Sequence, residues 1–539
     1  MDSDKLVGPV GRRNPGESYV LVKKPFLAIG VALALATGMS RGADLEAIRI
    51  DPGALASLGK VDERFQSYNI EMAEVIGGRF WKPYAHMLAT QAPPTEIAVG
   101  RDPNLFEARV PADLSNRRLR ALAAALGPVY VRVSGTWANS VYFQNDDAPA
   151  AAKAPEGYNG ILTRSEWRGV IDFAKAVDAR LITSFTVSAG VRDAAGAWTP
   201  VQAQPLLEYT RGIGGEIFAA ELFNEPNLAS FGAGLKGYDA AAFARDSAAF
   251  HGFVVQAAPT LKIVGPGDVT TANAPIPGAP TAEGFLTAQP PPQFDFFSYH
   301  FYPGVSQRCA PPDNTTVGTR QDQALTDSWL ARTDLAFDAH KAVRDHYAPG
   351  IPIWLTETAQ AACGGSPWAA TFIDTFRYLD QMGRLAKRGV SVIFHNTLAA
   401  SEYGLIDAAA FEPRPNYWAA LLWRRLMGPQ VLDAGPNRPG LHMYAQCLRD
   451  RSGGVSVLAI NTSEQAAALR VGSPAEVYAL SAPSLTSGTL LLNGHILAIG
   501  SNDHMPELRP QRMKGASITL APQSIDFIAL PRATNPSCK

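Results

Sequence analysis

The 539-residue chain is predicted to fold as a (β/α)8 TIM barrel with a C-terminal antiparallel β-sandwich domain. Three observations carry that expectation. Eight short apolar runs alternate with amphipathic helical stretches from residue 61 to about residue 425, the count of a barrel with enlarged loops. Past residue 428 the helical patterns stop, and short strand-like runs are separated by Gly, Pro and Asn turns. The length also exceeds what one ordinary core holds, so two domains are expected. A doubly wound open sheet is the alternative for the first of them.

In chain order, Lys23 and Lys24 precede "PFLAIGVALALATGM", a 15-residue apolar run leading into small residues up to Ala43. That is the length of a signal-peptide core and short of the roughly 20 residues a spanning helix needs. Residues 1–43 are therefore read as an export signal, and the remainder as a periplasmic or secreted protein with no stable membrane insertion. A first core helix is the other reading. Residues 44–60, "DLEAIRIDPGALASLGK", are expected to lend a strand to the β domain.

The barrel, residues 61–428, draws its strands from "RFQSYNIEM", "VYVRVSG", "RLITSFTVS", "EIFAAELFN", "LKIVGPG", "FDFFSYHFY", "IPIWLTET" and "GVSVIFHNT". These runs are rich in β-branched and aromatic residues. Between them, "SEWRGVIDFAKAVDA" and "WAATFIDTFRYLDQMGRLAKRG" repeat apolar residues at helical spacing. Two loops, "NDDAPAAAKAPEGYNG" and "APIPGAPTAEGFLTAQPPPQ", follow strands and are expected near the active face. The β domain, residues 429–539, contains "GLHMYAQCLRD", "GGVSVLAINTS", "TLLLNGHILAIG" and "SIDFIAL".

Composition excludes several functions. Beyond residue 43 the chain carries 42 Lys and Arg against 46 Asp and Glu, with no dense basic stripe. Nucleic acid or a highly sulfated polymer is thus a poor main partner. Gly232, Gly234 and Gly237 in "GAGLKG" match a dinucleotide-loop spacing, but the match follows a loop instead of a strand opening onto a helix. The nine histidines form no HExxH or close pair, so no catalytic metal or other cofactor is expected. Four cysteines, Cys309, Cys363, Cys447 and Cys538, form no CxxC pair. An even number in an exported protein favours two disulfides.

The chemistry is concentrated at two strand ends. "AELFNEPNLAS" finishes the fourth strand run with Asn224, Glu225 and Pro226, and "IPIWLTETAQAACGG" finishes the seventh with Glu357. Either glutamate alone could be a solvated loop residue. In a (β/α)8 barrel, however, the C-terminal strand ends converge on one face. Two carboxylates meeting there suit glycoside hydrolysis, which needs a proton donor to the leaving oxygen and a partner on the opposite face of the sugar.

An ordered set of stretches resembles glycoside hydrolase family 79 of clan A, the β-glucuronidase and heparanase-like family. The set is "YVRVSGTWANS", "LFNEPN", "SYHFY", "WLTETAQAACGGSP", "SEYGLID" and "LLLNGHIL". The resemblance implies that Glu225 is the acid/base and Glu357 the nucleophile of a retaining enzyme, with their carboxyls about 5–5.5 Å apart. It also implies that Asn224 bonds the sugar 2-hydroxyl and that Glu71 and Thr136 line the sugar site. Gly364, Gly365 and Tyr403 would hold the uronic acid carboxylate. Tyr302 is placed to donate to Glu357, and His300 either shapes that network or is a core histidine.

The implied function is a retaining, exo-acting β-glucuronidase acting on a glucuronic-acid-containing glycoside or glycan. Endo-cleavage of a uronic-acid polysaccharide, a carbohydrate-binding protein that has lost catalysis, and other clan A activities such as β-xylosidase or arabinofuranosidase remain alternatives. Departures favour the exo reading. "GPGDVTTANAP" has no Arg or Lys, and the loop after the second strand has only Lys153. Four cysteines allow three pairings. Position in the inferred fold selects Cys309 with Cys363 and Cys447 with Cys538, heparanase-like members carrying a bridge similar to the second; free thiols are the alternative for the first pair.

Overall fold

A computed structural model of the chain describes residues 47–87, 102–271, 276–310, 318–514 and 517–539. The apolar run expected to be an export signal lies outside them. Eight parallel strands close into a barrel in sequential order: β1 Gln66–Glu71, β2 Val129–Ser134, β3 Ala179–Ser184, β4 Ala219–Glu221, β5 Lys262–Thr271, β6 Phe296–Tyr302, β7 Ile353–Thr358 and β8 Val392–His395. All eight predicted runs hold a barrel strand. The fourth is the exception in extent: its ladder ends at Glu221, so Glu225 stands four residues beyond the last paired residue.

Side-chain alternation along the strands separates two environments. Tyr130, Ile182, Ala219, Val264, Trp354, Val392 and Phe394 fill the barrel interior as one apolar cluster. Val131, Val133, Leu181, Ile353 and Leu355 join the surrounding core, where helices such as Arg164–Ala176 and Phe372–Lys387 pack. Thr163 and Glu166 cap the first of those helices reciprocally.

The β domain is antiparallel. A nine-stranded sheet contains β9 Met427–Leu432, β10 Leu441–Leu448, β11 Val455–Asn461, β12 Ala475–Ser481 and β13 Ser524–Leu530. Segment 44–60 contributes twice: Ser57–Lys60 pairs with β9, and Ile48–Arg49 pairs with Ala467–Arg470 in a separate three-stranded sheet. The run "TLLLNGHILAIG" forms only a two-residue hairpin, Leu491–Leu492 against His495–Ile496. Cys447 is bonded to Cys538 and Cys309 to Cys363. Asn535, beside Cys538, donates to the carbonyls of Pro52 and Leu55 at 2.8 and 3.0 Å, which ties the C-terminal tail to the N-terminal segment.

Barrel and β domain meet on a buried polar cluster. Asp380, on helix Phe372–Lys387, accepts from Tyr444 Oη at 2.6 Å and from Arg384 Nε at 2.5 Å, and faces His442 Nδ1 at 2.6 Å. The other ring nitrogen of His442 lies 3.0 Å from Asp327. Burial works against the charged imidazole, but the Asp380 bond and charge outweigh it and raise the His442 pKa. No helix among the described residues is long and apolar enough to cross a membrane.

Candidate active site

Above the apolar layer the barrel interior turns polar. Two residues past Tyr130 on β2 stands Arg132, fully buried; two past Ala219 on β4 stands Glu221. Arg132 donates to Glu221 Oε2 through both Nε and Nη2, at 3.0 and 2.7 Å, to Glu357 Oε2 at 3.0 Å and to Asn224 Oδ1 at 2.7 Å. One planar guanidinium thus fixes groups from β4, the loop after it, and β7. A lysine could not serve all of these directions.

Glu357 faces this centre because of a backbone irregularity. Trp354 points into the barrel, so strict alternation would send Glu357 outward with Ile353 and Leu355. The register with β6 slips by one residue: Tyr299 pairs with Leu355, but His300 pairs with Glu357. Such a bulge reverses which side chains face in, and Glu357 joins His300 and Tyr302 inside.

There the two glutamates converge. Glu225 Oε1 lies 3.2 Å from His300 Nδ1, and Glu357 Oε2 lies 3.7 Å from the same atom. Glu225, His300 and Glu357 each present an atom within 4.8 Å of the other two. That spacing would also suit a cation, but the Arg132 guanidinium bonded to Glu357 already supplies positive charge there. Tyr302 Oη donates to Glu357 Oε1 at 2.7 Å, so each Glu357 oxygen accepts one donor. His300 Nε2 lies 3.3 Å from Arg132 Nη2. A guanidinium offers no acceptor, so Nε2 faces it unprotonated and the ring proton sits on Nδ1, toward Glu225.

Burial sets the protonation of both acids. It raises Glu225 to about 7, with Arg132 opposing and Glu221 adding to the rise. Burial also raises Glu357, and the Glu225 charge adds to it, while Arg132 and the Tyr302 bond pull the other way. His300 is lowered by burial and is neutral near pH 7. The geometry therefore supports one protonated acid, Glu225, opposite one buried carboxylate, Glu357, whose two oxygens accept from Arg132 and Tyr302. Glu225 also has a left-handed backbone, φ 50° and ψ 66°, a conformation that is uncommon and strained for a residue with this side chain.

The expected sugar-lining residues cluster beside this pair. Asn396, just past β8, donates through Nδ2 to Glu71 Oε1 at 3.2 Å, Tyr302 Oη at 3.0 Å and Tyr403 Oη at 3.2 Å. Glu71 Oε2 is buried with no protein partner. Gly135 passes so close that a Cβ there would lie 1.7 Å from that oxygen, so only glycine fits. Burial, with the Glu357 charge, pushes the Glu71 carboxyl well above the usual range. Thr136 opens the short turn after β2 and is packed by Gly232, one of the "GAGLKG" glycines; a Cβ on Gly232 would lie 2.8 Å from Thr136 Cγ2.

Cys363, Gly364 and Gly365 all have positive φ, and the disulfide to Cys309 holds their loop to the one after β6. Gly364 packs against Trp81, and Gly365 against Tyr403 and Ala369. The structure thus gathers Asn224, Glu225, His300, Tyr302, Glu357, Glu71 and Tyr403 into one bonded network, with Gly364, Gly365 and Thr136 in adjoining loops. Sequence reading missed Arg132, Asn396 and Glu221. An arginine inside the apolar run "VYVRVSG" was the available signal, since arginine is almost never fully buried unless paired. Asn396 likewise follows "VIFH" as Asn224 follows "AELF".

Comparison with known proteins agrees with this architecture. Residues 107–383 match the family description "Glycosyl hydrolase family 79, N-terminal domain". The chain is 27% identical to the heparanase of Mus musculus, over 79% of this chain and 88% of that protein. It is 26% identical to the hyaluronoglucuronidase of Hirudo nipponia, over 79% and 92%. Among solved structures, a 4-O-α-L-rhamnosyl-β-D-glucuronidase from Fusarium oxysporum superposes with a TM-score of 0.61 at 14% identity, over 90% of this chain and all of that one.

Proposed function

Because the chain belongs to glycosyl hydrolase family 79, a family of glycoside hydrolases, we propose that it is a retaining, exo-acting β-glucuronidase. The observation that carries the mechanism is that one carboxylate oxygen of Glu225 and one of Glu357 lie within 4.8 Å of each other. An inverting pair stands about 6.5–9.5 Å apart to admit a water between. Glu357, its charge held by Arg132 and Tyr302, attacks the anomeric carbon as Glu225 protonates the leaving oxygen. A glycosyl-enzyme forms, and Glu225, now a base, takes the proton of the water that cleaves it.

The uronate reading rests on the resemblance at Gly364, Gly365 and Tyr403 and on relatives named heparanase and hyaluronoglucuronidase. Those names also favour the second reading, endo-cleavage of a uronic-acid polysaccharide. Product size separates the two: the exo enzyme releases free glucuronic acid, the endo enzyme oligosaccharides. The apolar run at the N-terminus and the two disulfides support export. Wild-type enzyme, Glu357→Gln and Glu225→Gln on aryl β-glucuronides test the mechanism. Glu357→Gln is expected to lose essentially all turnover, and Glu225→Gln to retain it only where the leaving group needs little protonation. Equal losses for Glu225→Gln across leaving groups would overturn the acid assignment.

A further inference from the structure

Glu225 sits in a strained conformation at a place where no strand holds it. The β4 ladder has ended at Glu221, so the chain from Leu222 onward lacks strand neighbours just where it must aim a catalytic group. Two asparagine side chains replace them. Asn139, in the turn after β2, accepts from the Asn224 N–H at 2.9 Å and donates to the Asn224 carbonyl at 2.9 Å. Asn227, in the turn after Glu225, donates to the Val269 carbonyl at 2.9 Å and accepts from the Val269 N–H at 3.0 Å. Each amide thus makes the paired donor and acceptor contacts that a strand neighbour would make.

The pairs flank Glu225 on either side. One fixes the residue before it to the β2 side of the barrel, and the other fixes a residue two after it to β5. All four partners are buried, so water cannot substitute for a lost amide without penalty. The intervening Glu225 backbone has its positive φ imposed from both ends, and a residue in such a region persists only where its surroundings over-determine it.

We propose that the Asn139 and Asn227 amides are positioning residues that impose this backbone conformation and so aim the Glu225 carboxyl at the leaving oxygen. The inference rests on the reading of Glu225 as the acid/base. Neither side chain is itself bonded to Glu357, Arg132 or Tyr302, and Asn139 holds the backbone of Asn224 and not the side chain that Arg132 bonds, so their loss should impair proton donation and spare nucleophilic attack.

The experiment measures kcat/KM, which reports the glycosylation step, on a series of aryl glycosides from phenyl to 2,4-dinitrophenyl. It compares wild type, Asn139→Ala, Asn227→Ala and Glu225→Gln. Each alanine variant is expected to lose roughly 100-fold on the phenyl substrate, the size of effect that a misplacement of about 1 Å produces. On the dinitrophenyl substrate, which needs little general-acid help, it should stay within about threefold of wild type. Turnover of that substrate also proves that the variant is folded. Where an alanine variant does not fold, the serine variant at that position, which leaves a smaller void and still lacks the amide pair, takes its place. Equal losses on both substrates, or no loss on either, would overturn the proposal. If Glu225→Gln itself shows no dependence on the leaving group, the acid/base reading fails instead, whatever the asparagine variants do.

Discussion

Replacing Arg132 with lysine keeps one positive charge inside the barrel but removes the fork that distributes it. The guanidinium makes four donations, two to Glu221 and one each to Glu357 and Asn224. An ammonium on a flexible stem cannot reach Glu221 and Glu357 in those directions together. Glu221 takes two of the four bonds, so lysine is expected to stay with Glu221 and abandon Glu357. A hydrogen bond to a charged group contributes about 1.5–3 kcal/mol. Its loss at Glu357 should reduce kcat/KM by roughly 10- to 150-fold, at about 1.4 kcal/mol for each factor of ten. The same energy must appear in the titration of Glu357, the proposed nucleophile. With its cation withdrawn, Glu357 takes up its proton more readily, so the acidic limb of the kcat/KM profile should move up by about 1–2 pH units. The alkaline limb, which the proposed acid role assigns to Glu225 with its pKa raised to about 7, should move much less. The assay is initial-rate kinetics on an aryl β-glucuronide from pH 4 to 9, with a urea melt as a folding control. A lysine variant within about threefold of wild type, with its acidic limb unmoved, would refute the idea that Arg132 holds Glu357 ionised.

If Tyr403 holds the uronate as proposed, Tyr403→Phe should lower the preference for aryl β-glucuronides over aryl β-glucosides by about tenfold or more, the loss of one hydrogen bond to a charged group; an unchanged ratio would remove Tyr403 from the proposed carboxylate site. Cys538→Ala, which opens a bridge spanning 91 residues, should destabilise the enzyme by about 2–4 kcal/mol in urea and leave turnover of small substrates intact, because the bridge lies in the β domain. His442, whose folded pKa is raised by Asp380, contributes stability that is fully present below its unfolded value of about 6.5 and is lost as pH rises through the folded value. Unfolding free energies across pH 5–9 should therefore fall on the alkaline side in wild type and vary less in His442→Asn; parallel slopes would show that the Asp380–His442–Asp327 cluster is not charged.

How much of the fold is legible in the sequence follows from what each feature depends on. The eight strand runs and the change of texture after residue 428 are local patterns of apolar residues and turn formers, and the closed barrel and the antiparallel sheets follow from them. Glu225 and Glu357 were visible for the same reason: a carboxylate ending an apolar run stands out when two such runs share one face. Arg132 is different. Its burial looks prohibitive until Glu221, Asn224 and Glu357, which lie 89 to 225 positions away, are known to surround it. Asn139 and Asn227 read in sequence as ordinary turn residues; that their amides pair with backbone 85 and 42 positions away is a property of the closed barrel.

Glu357 shows where the limit lies. Its position at a strand end is local information, and its orientation is not. Counting alternately from Trp354, which points inward, puts Thr356 in the barrel and Glu357 among the helices. What reverses that count is the one-residue slip that pairs Tyr299 with Leu355 and His300 with Glu357, and no residue in "IPIWLTET" announces it. The slip also explains why Tyr302 can reach Glu357 Oε1, since His300 and Tyr302 share the inward face of β6 and Glu357 has been turned to meet them. A substitution that restored regular pairing between β6 and β7 would carry Glu357 out of reach of Arg132, Tyr302 and Glu225 at once, with all four side chains still present in the sequence.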